Sequence, residues 1–152
     1  MKRKSDKLNK LHNFELWVML NSDRIRDLFT ILPNELVQQL DYSLNSLIVF
    51  EKYLLDNYTY DSIIMKSNFT LLDNLSRYVG EVARRHLKDA KWDIYLENKK
   101  NIHYNIPLIV APHIFAEQFC PIYTVTAALD RKHGNFLQKA VQDCIDRQIA
   151  KT

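Results

Sequence analysis

Two groups of residues in this chain have the types and spacing that chemistry requires. The first is Cys120, directly before Pro121, with His113 seven residues upstream. A helix beginning at that proline would place its positive dipole end beside the sulfur and favour the thiolate. His113 would then be the base, and the pair would suit a small cysteine-dependent hydrolase or transferase. The plainer alternative is that Cys120 is a small packed residue beside a turn. The second group is Glu81, Arg84, Arg85 and His86. Glu81 has Arg84 at i+3 and Arg85 at i+4, the spacing of ion pairs on a helix surface. With Tyr78 before it and Trp92 after it, Glu81 also reads as a binding carboxylate beside an aromatic wall. Acid–base chemistry there would need a second carboxylate or a burial signal, and Asp93 is the nearest candidate. The ion-pair reading is the simpler of the two.

Other chemistries lack their residues. Loops that cradle phosphate need glycine, because backbone N–H groups must come close to the oxygens. The chain has two glycines, Gly80 and Gly134, and neither lies in a Gly-rich loop. This argues against a P-loop, a dinucleotide fingerprint and a nucleophile elbow. His12, His86, His103, His113 and His133 stand isolated, with no H-x-x-x-H or C-x-x-C spacing. No metal site and no cofactor are expected.

Elements that would position these residues follow from periodicity. Residues 14–31 repeat apolar side chains at helical spacing, with a break expected at Asn21-Ser22-Asp23. Pro33 punctuates the chain. Asp41 and Ser43 are good cap types for a helix carrying Leu44, Leu47, Phe50 and Leu54. Tyr58 to Asp61 reads as the loop after it. A long amphipathic helix is predicted from about Asn68 to Lys88, with Leu72, Leu75, Val79 and Val82 on its core face. Gly80 costs that helix about 1 kcal/mol relative to alanine, so a bulky ring or another backbone is expected to pack against it.

Period-two alternation over Trp92–Leu96 and Tyr104–Val110, around a polar turn, predicts an antiparallel hairpin. Pro107 is expected to put its strand at a sheet edge, open to a partner. Cys120-Pro121 and His133-Gly134-Asn135 would precede two final helices. The fold class is therefore α+β, with helices packed around a small antiparallel β-hairpin or short sheet.

With 152 residues, 47% hydrophobic and 26% charged, the chain fits one soluble domain. Residues 1–10 hold Lys2, Arg3, Lys4, Lys7 and Lys10 against Asp6, leaving 16 basic and 17 acidic residues elsewhere. They read as a basic, disordered tail, with 11–152 as the globular domain. A nearly neutral body does not favour nucleic acid. No apolar run is long enough to span a membrane, and no secretory pattern follows the basic start. A cytoplasmic location with reduced cysteines is expected.

Leu40-Asp41-Tyr42-Ser43-Leu44 with Ser46-Leu47, then Tyr78-Val79-Gly80-Glu81-Val82, then Trp92 and Pro107, resembles a group of small uncharacterised bacterial domains. Those have a D-[YF]-S-x-x-S-L helix start, a Y-x-G-E helix and a short strand with tryptophan. The likeness would cover Pro33 to Gly134. It implies a stand-alone cytoplasmic protein, some similar ones acting as immunity or accessory partners of toxins. The resemblance carries no catalytic residues. The helix-to-strand turn departs from the pattern, with Lys88-Asp89-Ala90-Lys91 where glycines are usual.

Together these features point to a non-enzymatic protein-binding domain. Its binding face is expected to include Tyr78, Glu81, Arg85, Trp92 and Tyr95, some of them shared with the core. Tyr42, Tyr53, Tyr58, Tyr60, Tyr104 and Tyr123 are further surface candidates, because Tyr and Trp anchor interfaces.

Overall fold

The computed structural model describes residues 2–152. Among them the chain runs α1 (Lys2–Met19), α2 (Asn21–Ile31), α3 (Asn34–Val37), α4 (Leu44–Asn57), α5 (Tyr60–Ile63), α6 (Phe69–His86), β1 (Lys91–Ile94), β2 (Pro107–Val110), β3 (Gln118–Phe119), α7 (Pro121–Arg131) and α8 (Phe136–Ala150). The class is α+β. No described helix is long and apolar enough to cross a membrane.

Helix α6 is the axis of the molecule. Its stripe of Leu72, Leu75, Val79 and Val82 is buried as the spacing predicts, and Tyr78 is fully enclosed. Helices α2 and α7 pack against it. Two polar residues join the remaining helices. Glu51 of α4 is fully buried, and its Oε1 accepts the Leu137 N–H at the start of α8 (2.7 Å). Gln148 of α8 grips the turn between α6 and β1: its amide oxygen accepts from Lys88 N (2.8 Å), and its Nε2 donates to Lys88 O (3.0 Å) and Pro112 O (2.9 Å). In that turn Asp89 takes a left-handed conformation (φ 55), the role a glycine fills at lower steric cost. Gln148 thus fixes the angle at which β1 leaves α6, and with it the position of Trp92.

The sheet has order β1-β2-β3 and is antiparallel throughout. Its strands are shorter than predicted, and the polar turn grows into a loop spanning residues 95–106. Pro107 does not mark an edge, for β2 is the central strand. It is the first residue of β2, opposite Ile94, where a missing N–H interrupts no ladder.

Other differences have local causes. Residues 1–10 were expected to be a disordered tail. Lys2 to Lys10 instead form the first half of α1, and Met1 lies outside the described residues. The stretch has no glycine or proline. Asp6 and Lys10 pair at i,i+4, Lys7 reaches Glu97 (2.6 Å), and Lys10 sits over the Tyr104 ring. The break between α1 and α2 falls at Leu20, with no side-chain cap from the Asn21-Ser22-Asp23 triplet. Asn21 is committed to a tertiary contact described below. The segment after α4 is not all loop, because Thr59 and Ser62 form a capping box for α5.

Candidate functional site

The two halves of the sequence pattern meet at Tyr78. Ser43 caps α4, its Oγ accepting from Ser46 N (3.1 Å). The Ser46 hydroxyl donates to Ser43 O (2.6 Å), which uses its one proton. The Tyr78 hydroxyl must therefore donate to Ser46 Oγ (2.7 Å), and it accepts from Tyr42 N (3.2 Å). These bonds hold Tyr42 in a left-handed conformation (φ 65), with its ring 5.1 Å from that of Tyr78.

Two residues along α6, Gly80 makes room for the Trp92 ring. A Cβ at position 80 would lie 2.1 Å from Trp92 Cη2 and 2.5 Å from Cζ2. The ring expected to pack against this glycine is thus that of Trp92. It folds over α6 and donates from Nε1 to Glu81 Oε1 (3.2 Å). Covered in this way, Glu81 has a side chain only 8% exposed.

Glu81 is not half of a solvated ion pair; it is a buried anchor with donors on both oxygens. Arg84 donates from Nε to Oε1 (2.8 Å) and from an Nη to Oε2 (2.8 Å). Asn21 Nδ2 donates to Oε1 (3.2 Å). Arg85 Nε lies 3.6 Å from Oε2, and its guanidinium sits over Tyr42, 3.6 Å from the ring centre. Burial raises the carboxyl pKa, but the bonds from Arg84 and Trp92 and the charges of Arg84 and Arg85 outweigh it and hold the group below the usual glutamate range.

This polar line continues down α6 at four-residue steps. Arg77, almost wholly buried, donates from Nε to Asp73 (3.0 Å) and from Nη1 to Trp17 O (2.7 Å) and to the Asn21 side-chain oxygen (3.3 Å). Its guanidinium covers the Trp17 ring at 3.7 Å. Trp17 Nε1 donates to Asp73 (2.9 Å), and the Trp17 ring meets Trp92 edge-on at 4.8 Å. Asn21 therefore links Arg77 to Glu81, which is why it does not cap α2.

Above this network lies an open cleft of about 630 Å³ between α2, α6 and β1. Glu81 forms its floor. Arg84 and Arg85 rise from it with side chains 40% and 48% exposed. Arg26 and Lys91 stand on its sides, with Phe29, Tyr42 and Trp92 among the lining. Of the five expected binding residues, Glu81, Arg85 and Trp92 come together here. Tyr78 is core beneath Tyr42, not surface, because its hydroxyl is consumed by the α4 cap. Tyr95 does not line the cleft; it bridges to Tyr104 beyond the end of β1. Asn21, Tyr42, Arg84 and Trp17 complete the site. Of these, Tyr42 and Arg84 stood in sequence patterns already marked, whereas Asn21 is marked only as part of a helix break and nothing sets Trp17 apart from its apolar stripe.

The arrangement can bind but is not set up for proton transfer. Asp93 accepts from Ile94 N (2.8 Å) and does not approach Glu81. A carboxyl held below its usual range stabilises the fold fully above the ordinary glutamate pKa and loses that contribution as pH falls through the folded value. Glu81→Gln should therefore flatten the acid limb of the stability profile. Urea midpoints measured across acidic pH check this, and an acid limb of unchanged slope would contradict it.

Cys120 and His113 are not assembled. Cys120 is the N-cap residue of α7, as expected, but burial pushes its thiol up to about 11 against the N–H groups of Tyr123 and Ile122. His113 lines a separate groove with Lys88, Asp89, Pro112 and Gln148. The native thiol should react slowly with iodoacetamide at mildly alkaline pH and readily once unfolded. Rapid labelling of the native protein would contradict this assignment.

Compared with protein families, curated proteins and solved structures, the chain matches none of them.

Proposed function

We propose that this protein is a protein-binding domain and that the cleft between α2, α6 and β1 is its recognition surface. The observation that carries the reading is Glu81 itself. A buried carboxylate accepts bonds from Arg84, an asparagine and a tryptophan and pairs with the charge of Arg85, and so presents Arg84 and Arg85 in set positions at an open surface. Arginine, tyrosine and tryptophan are the residue types that dominate binding hot spots, and side chains already held in place lose less freedom on association. The resemblance to small bacterial domains suggests an immunity-type or regulatory partner, met in the cytoplasm.

Arg26 and Lys91 are exposed on the sides of the cleft, so reversing both to glutamate should leave the fold intact. The tagged chain is to be compared with the Arg26→Glu, Lys91→Glu variant in capture from native lysate. A stoichiometric partner held by the first and lost by the second is the expected result. Equal retention by both would remove the cleft from the proposal.

A further inference from the structure

We infer that the occupant of the cleft is an acidic, carboxylate-bearing segment of a protein partner that also carries an apolar side chain; this rests on reading the cleft as a protein-binding surface. Four cationic side chains line the cleft against one carboxylate, that of Glu81. Arg84 turns Nε and one Nη toward Glu81, which leaves its other Nη donors unspent. Arg85 sits over Tyr42 with its Nε toward Glu81, 3.6 Å from Oε2, so its Nη donors remain open. Arg26 pairs with Asp23 at 3.3 Å, both side chains well exposed, and such a pair exchanges readily for another. Lys91 makes no ion pair among the described residues.

The placement of these charges selects among anions. They come from three elements, α2, α6 and β1, and the two seen to converge, Arg84 and Arg85, do so on Glu81. A compact dianion such as phosphate needs converging donors, and here the ionised Glu81 among the cations would repel a concentrated double charge. Single carboxylates spread along a chain meet the cations one by one. Between them, Val18, Phe29 and Ala90 offer apolar surface that a leucine-sized side chain would cover.

The test is fluorescence anisotropy of the full chain with a labelled Asp/Glu-rich peptide containing one leucine. Matched peptides carry Gln in place of the acids, or phosphoserine. The acidic peptide should bind, weaken as salt is raised, and lose at least about tenfold in affinity when its acids become Gln. Arg26→Gln with Lys91→Gln, both exposed and outside the Glu81 network, should lose about tenfold with little change in thermal midpoint. No binding of the acidic peptide, equal binding by that variant, or preference for the phosphoserine peptide would each overturn the inference. If Arg26→Glu, Lys91→Glu releases the native partner while the acidic peptide does not bind, the acidic occupant is refuted and the protein-binding cleft stands. Retention of the native partner by that variant refutes the cleft itself.

Discussion

Gly80→Ala should destabilise the domain by about 2 kcal/mol, although alanine is the better helix former. Propensity favours the substitution by about 1 kcal/mol. Against it, the new methyl would lie 2.1 Å from Trp92 Cη2 and 3.0 Å from Pro121 Cγ, and forced overpacking costs about 1–3 kcal/mol or somewhat more. Relief is hard to find, because Trp92 is bonded to Glu81 through Nε1 and backed by the edge of Trp17. The steric cost wins because the ring cannot move without uncovering Glu81 and removing a wall of the cleft. Chemical denaturation measures the loss. The decisive comparison repeats the substitution in a Trp92→Ala background, where it should become nearly neutral or stabilising. A loss of equal size in both backgrounds would show that the ring is not the cause.

Arg77→Met should cost about 3 kcal/mol, within the range expected when one partner of a buried ion pair is removed. Its side chain is 3% exposed and that of Asp73 is 24% exposed, so water reaches the abandoned carboxylate in part. The substitution also strands Trp17 O and the Asn21 side-chain oxygen, each of which accepts from Nη1. Arg77→Lys should recover little, since one ammonium cannot reproduce bonds made from both Nε and Nη1 while covering the Trp17 ring. A loss below about 1 kcal/mol, or full rescue by lysine, would show that the network does not hold α1 and α2 against α6. Either result would also weaken the case for preset arginines above it, because Asn21 joins the two halves.

Much of the fold was legible because it rests on local periodicity. The stripe of α6, the Ser43 cap, the Cys120-Pro121 start of α7 and the β1–β2 pairing all follow from side-chain type and spacing within one or two turns. Misreadings came where a distant partner overrode local signals. Charge alone suggested a tail at residues 1–10, but partners from the 95–106 loop accompany its helix. Pro107 reads as an edge marker in the sequence because its role depends on β3, a two-residue strand too short to show any pattern.

The candidate site divides along the same line. Helical spacing alone places Glu81, Arg84 and Arg85 on one face, and the low helix propensity of glycine points to a ring or a backbone packed against Gly80. The sequence also marks Trp92 as an aromatic neighbour. Long-range packing is what makes Trp92 the bulk over Gly80, turns Glu81 from a solvated ion pair into an anchor, and puts Tyr78 in the core. The physical reason is that a charged residue's role depends on whether water reaches it. Here water is excluded by a ring eleven residues away, on a strand whose angle is set by Gln148 of α8, a separation over which no sequence period carries information.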